Sequence, residues 1–93
     1  MIKRIVKLTI VPGKEDQFKS IFINSKSKIL SFDGCSHVEL LQEVNKPNIF
    51  FTYSIWQDLD QLNKYRSSDL FHNVWSKVKL IFADRPEAWS LNE

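Results

Sequence analysis

The sequence predicts an α+β domain: a four-stranded antiparallel sheet covered on one side by helices, in the order strand, helix, strand, strand, helix pair, strand. Three observations predict it. The runs Ile2 to Val11 (IKRIVKLTIV) and Ile49 to Trp56 (IFFTYSIW) carry bulky apolar groups on both alternating faces, the mark of strands inside a sheet. The runs Cys35 to Val44 and Pro86 to Leu91 are more polar, as sheet edges are. Between the strands, apolar residues recur at three- and four-residue spacing, the period of a helix with one buried face. This is the split βαββαβ pattern of ferredoxin-like domains, with the first and third strands in the middle.

Taken in order, Ile2 to Val11 places Val6, Leu8 and Ile10 on one face and Ile5 and Val11 on the other, and Pro12-Gly13 stops it. From Lys14 or Glu15 to about Phe32, a helical stripe runs through Phe18, Ile21, Phe22, Ile29 and Phe32, with Ser25 as its small polar member. Asp33-Gly34 ends that helix, Gly34 taking the left-handed position after the last turn. Cys35 to Val44 is joined to Ile49 to Trp56 by the turn Asn45-Lys46-Pro47-Asn48, which makes a hairpin. In the second strand of this hairpin Ile49, Phe51, Tyr53 and Ile55 share one face, and Phe50, Thr52, Ser54 and Trp56 the other. Asp58 is the N-cap of a helix carrying Leu59, Leu62 and Tyr65, with Gln61 three residues after the cap. Arg66-Ser67-Ser68-Asp69 interrupts it, and a second helix from Ser67 or Ser68 presents a wide stripe that includes Leu70, Phe71, Val74, Trp75 and Val78. Pro86 to Leu91 is the last strand, with Pro86 permitted at its start.

Ninety-three residues make one domain, residues 1–93, and a domain of this size gains stability from a partner. Helices cover one side of the sheet, yet both central strands are apolar on two sides. A second copy meeting the open sheet face is the simplest cover, so a homodimer through that face is expected. Two or three large side chains per strand, at ~1.5–3 kcal/mol each when fully buried, outweigh the entropy cost of association. Thirteen Lys and Arg are mixed along the chain with 11 Asp and Glu, so no basic stripe exists to follow a phosphate backbone, and no nucleic-acid partner is expected. Cys35 is the sole cysteine, which leaves no internal disulfide and fits a cytoplasmic setting. No run reaches the roughly 20 apolar residues that cross a bilayer, and no membrane partner is expected. Gly13 and Gly34 are the only glycines, too few for a phosphate-cradling loop.

Phe32-Asp33-Gly34-Cys35, His37-Val38-Glu39-Leu40-Leu41, Phe51-Thr52-Tyr53-Ser54-Ile55-Trp56 and, above all, Tyr65-Arg66-Ser67-Ser68-Asp69-Leu70-Phe71 together resemble the antibiotic biosynthesis monooxygenase domain family. The resemblance covers nearly the whole chain. It implies a dimeric α+β barrel with a ligand pocket between helices and sheet in each subunit. Some members of that family oxygenate polyphenolic or quinone-forming substrates without metal or flavin, and others do different work. A branch of the superfamily degrades haem with an Asn on the first strand, a Trp on the helical stretch and an axial His. At those positions this chain has Val6 or Lys7, Tyr65 and Trp75. His72 lies off the apolar stripe and reads as solvent-facing, so haem degradation is a minor alternative.

Oxygen chemistry without a cofactor needs an apolar cavity, a group to take the substrate proton and donors for the oxyanion formed. The candidates are His37 as base and Tyr65 as oxyanion donor, with Phe22, Trp56, Phe71 and Trp75 lining the space for a small apolar or aromatic molecule. No cofactor and no metal are expected, since no His or carboxylate pair has ligand spacing. Each candidate also has a plain structural reading: His37 as a hydrogen-bonded edge residue, Tyr65 as a half-buried helix tyrosine, the tryptophans as core or interface. Three function classes follow: a monooxygenase on a small phenol- or quinol-type aromatic, an isomerase- or lyase-type proton-transfer enzyme with His37 as base, and a non-catalytic dimeric ligand-binding protein.

Overall fold

The third strand in the chain is the one on which the sheet is built. A computed structural model describes residues 1–93. β3 (Ile49–Trp56) pairs antiparallel on one side with β1 (Ile2–Thr9), from Ile2 opposite Trp56 to Thr9 opposite Ile49, and on the other with β2 (Cys35–Gln42). β4 (Glu87–Asn92) pairs antiparallel with β1, so the order across the sheet is β2-β3-β1-β4. The two strands that are apolar on both faces are thus central and the two polar ones are edges. This is the expected ferredoxin-like α+β arrangement. α1 (Glu15–Leu30), α2 (Leu59–Arg66) and α3 (Asp69–Val78) pack on one face. None is long and apolar enough to cross a membrane.

Several boundaries fall short of the sequence pattern, each for a local reason. Regular pairing of β1 ends at Thr9 because Asn48 claims Ile10: the Ile10 N–H donates to the Asn48 carbonyl at 2.8 Å, and Asn48 Nδ2 returns a bond to the Ile10 carbonyl at 3.1 Å. β2 ends at Gln42 because the Glu43 carboxylate accepts from the backbone N–H groups of Asn45 and Lys46, which curls the chain into its turn. α2 and α3 start where their caps allow. The Asp58 carboxylate accepts from the Gln61 N–H at 2.9 Å and the Ser68 hydroxyl from the Phe71 N–H at 3.2 Å, and each bond satisfies a donor that the first turn leaves free.

The inward face divides into two clusters. Leu8, Ile10, Phe18, Phe50, Val78 and Ile81 form one, and Phe22, Ile29, Val38, Trp56 and Leu62 the other. Phe50 and Trp56, at opposite ends of β3, are fully buried. The outward face carries Ile5, Phe51, Tyr53 and Ile55 at its centre, with Leu41, Trp89 and Leu91 toward its edges, the last three 43–47% exposed. No element of the chain covers it. Lys3 and Lys7, on the same face, reach across to Glu93 and Glu87 at 3.4 and 3.5 Å.

Gly34 has φ +89° and lies against α2, where an added Cβ would sit 2.5 Å from Gln61 Cβ. Gly13 has φ +97° with open space around it. Gly13→Ala should therefore cost only the left-handed conformation, about 1–2 kcal/mol, while Gly34→Ala should cost clearly more because the start of α2 must shift. Urea unfolding of the two variants measures the difference, and equal losses would contradict this packing.

Candidate active site

Across β3 the inward side chains run large, small, small, large: Phe50, Thr52, Ser54, Trp56. Their neighbours in the sheet are modest too. One inward row is Leu40, Thr52, Val6, Ala88, and the next is Val38, Ser54, Arg4, Ser90. The bulky end residues hold the helices off the sheet while the middle does not fill the gap. What remains is a cavity of about 280 Å³ between sheet and helices, near the lower end of the range for small-molecule sites.

The roof is aromatic and continuous. The Trp56 and Tyr65 rings stack at 4.8 Å and 26°, Tyr65 meets Phe71 edge-on at 5.4 Å, and Phe71 stacks on Trp75 at 5.7 Å and 14°. Phe22 closes the α1 side. Trp56 is fixed because its Nε1–H donates to the Ser54 hydroxyl at 3.0 Å, which satisfies the buried indole. Phe22, Trp56, Tyr65, Phe71 and Trp75 are thus brought together on one cavity. Burial first, and then the neighbouring Cys35, push the Tyr65 phenol up to about 12. At neutral pH it is a protonated donor. Burial likewise raises the Cys35 thiol, which keeps it a thiol rather than a nucleophilic thiolate.

His37 is placed elsewhere, and the expectation that it serves the cavity as base is corrected. Simple alternation groups it with Cys35, but a bulge interrupts β2 between Cys35 and His37. Cys35 pairs with Trp56 and packs inward; His37 pairs with Ile55 and turns to the open sheet face. There its Nε2 lies 3.5 Å from Glu39 Oε1 and its ring meets Tyr53 edge-on.

Two polar residues outside the candidates drawn from the sequence also line the cavity. Arg4 lies on the cavity floor and Arg66, the last residue of α2, also lines the cavity. Arg4 Nη1 donates to the Ser90 hydroxyl at 2.9 Å. Burial, followed by the nearby charge of Arg66, lowers the pKa of Arg4. The available signal was parity, since Arg4 shares the face of Val6 and Leu8 and is a charge at an inward position of a central strand. No His, Cys, Asp or Glu lines the cavity, and His72 is exposed on α3. The lining therefore does not fit a haem iron that needs an imidazole or thiolate ligand.

A fold of this topology with a ligand-sized cavity beneath its helices defines a class, and the family model for antibiotic biosynthesis monooxygenases matches residues 1–75. The chain belongs to that family. Among solved structures, a conserved protein of Methanosarcina mazei Go1 superposes with a TM-score of 0.93 at 21% identity, covering 99% of this chain and 91% of that one. Rv0793 of Mycobacterium tuberculosis gives 0.90 at 13% identity, covering 99% and 93%. SnoaB of Streptomyces nogalater, a cofactor-independent oxygenase solved as a mutant, gives 0.87 at 17% identity, covering 99% and 91%. At these identities the likeness establishes the fold. No curated protein matches the sequence.

The raised Tyr65 pKa has a consequence for stability. The folded state favours the protonated phenol, so this contribution is whole below about pH 10, the unfolded value, and is lost as pH rises toward about 12. Over that window the wild type should lose roughly 2 kcal/mol more than a Tyr65→Phe variant, which has no phenol to ionise. Denaturant titrations at pH 9 to about 12 check this, and parallel curves would refute it.

Proposed function

We propose that the chain is a cofactor-independent monooxygenase that takes a small phenol- or quinol-type aromatic into the cavity. One observation carries the reading: a cavity of about 280 Å³ with a continuous aromatic wall from Trp56 to Trp75 and a protonated tyrosine within that wall. A flat ring is the shape such a wall stacks on. The family membership and the likeness to SnoaB, itself a cofactor-independent oxygenase, support it.

For a benzenediol the reaction balances as ring plus O2 giving hydroxyquinone plus water. The ionised ring passes an electron to O2, the resulting pair combines to form a C–O bond, and the O–O bond breaks as the second oxygen leaves as water. Both oxygens are reduced by the four electrons the ring loses. Tyr65 donates a hydrogen bond to the oxygen anion on the ring, and the largely apolar lining strengthens that bond. Phe22, Trp56, Phe71 and Trp75 orient the ring. The isomerase- or lyase-type alternative relied on His37 as base, and with His37 on the opposite face it loses its proton acceptor.

The active unit is a homodimer formed through the open sheet face. The apolar centre of that face, around Phe51 and Tyr53, supplies the contact. Cys35 as a lone thiol fits a cytoplasmic protein.

Oxygen consumption should appear with benzenediol or anthrone-type compounds, persist under a metal chelator, and fall about tenfold or more in Tyr65→Phe, as when one oxyanion donor is removed. Ligand-induced quenching of tryptophan fluorescence without any oxygen uptake would instead favour a binding protein. In sedimentation the wild type should run as a dimer at micromolar concentration and Phe51→Glu as a monomer. A wild-type monomer there would remove the dimer.

A further inference from the structure

The basic side chains of β1 divide by face. Outward-facing Lys3 and Lys7 each have a glutamate within 3.5 Å. Inward-facing Arg4 has none. Its neighbours across the sheet are Ser54 on β3 and Ser90 on β4, both neutral hydroxyls. Arg66 arrives at the same cavity from the end of α2, and the ion pairs of the chain, Lys3–Glu93, Lys7–Glu87 and His37–Glu39, include neither arginine. Two guanidinium groups thus line one largely apolar cavity that contains no carboxylate.

Charges of one sign repel each other, and the partial burial of Arg4 with no carboxylate beside it adds to the cost of its charge. Burial first, and then the proximity of Arg66, disfavour the Arg4 cation. A bound anion removes both penalties, and the planar guanidinium fork matches a pair of oxygens.

We propose that Arg4 and Arg66 form the specificity element of the cavity, selecting aromatic ligands that carry an oxyanion, either a ring carboxylate or an ionised ring hydroxyl. The ring lies along the aromatic wall and its negative oxygen meets the two arginines. This rests on the cavity being the ligand site, and it explains how a cavity without a base handles a phenol. The arginines stabilise the ionised form, so the proton leaves to solvent and no side chain needs to accept it.

The test is binding, measured by quenching of tryptophan fluorescence, and is independent of any oxygen uptake. The probes are 2-naphthoate and its neutral counterpart 2-naphthamide. The acid should bind about tenfold or more tightly than the amide, as hydrogen bonds to a charged partner require. Arg4→Met and Arg66→Met should each weaken naphthoate binding and leave the amide unchanged. Arg66→Met changes an exposed residue at a helix end, so it tests the idea even if Arg4→Met folds poorly. A nitrophenol, whose absorbance reports its ionisation, distinguishes the two sources of the anion: a lowered apparent pKa on binding assigns a ring hydroxylate, and an unchanged one with tight naphthoate binding assigns a carboxylate. Equal affinity for acid and amide, or no binding of either, overturns the proposal. Oxygen uptake could fail while the acid is still preferred, which would sink the monooxygenase reading alone.

Discussion

The inward face of β3 sets the terms for the rest of the molecule. Phe50 and Trp56 are fully buried at its two ends, each contributing on the order of 1.5–3 kcal/mol through burial. Between them Thr52 and Ser54 are too small to reach the helices. The core therefore condenses as two clusters with a gap between them instead of one continuous mass. A void costs packing energy. Here the two clusters are anchored at opposite ends of β3 and bridged at their margin by Leu40.

In the proposed reading, the polar groups around that gap complement negative charge. Tyr65 is held protonated by burial, and the two arginines face a space with no carboxylate. The apolar wall beside these donors makes them more effective than they would be in bulk water, most of all the largely buried Tyr65. In the proposed reading a titratable base need not be present: if the anion of the ligand is stabilised strongly enough, its own acidity changes.

Side-chain alternation ties the cavity to the opposite sheet face. Ser54 and Trp56 look toward the helices while Tyr53 and Ile55 look away, so a shift of β3 by one residue would exchange floor and outer surface. A partner subunit packed on Phe51, Tyr53 and Ile55 would hold that register. In the proposed dimer, association and ligand binding use opposite sides of one strand and support each other.

The sequence by itself determined the order of elements, the central and edge strands, the cap at Asp58, and the inward stripes on which Phe22, Phe71 and Trp75 fall. All are local, since spacing and a neighbouring cap residue carry the information. Tertiary structure alone decided two matters on which the chemistry turns. A bulge at Ser36 sends Cys35 inward and His37 outward, and nothing in the alternation of Cys35 to Leu41 announces an extra residue. The isolation of Arg4 depends on Ser54 and Ser90 being its cross-strand neighbours. Those residues are distant in sequence and meet only when the sheet forms, so whether the charge finds a carboxylate or an open cavity is settled by register.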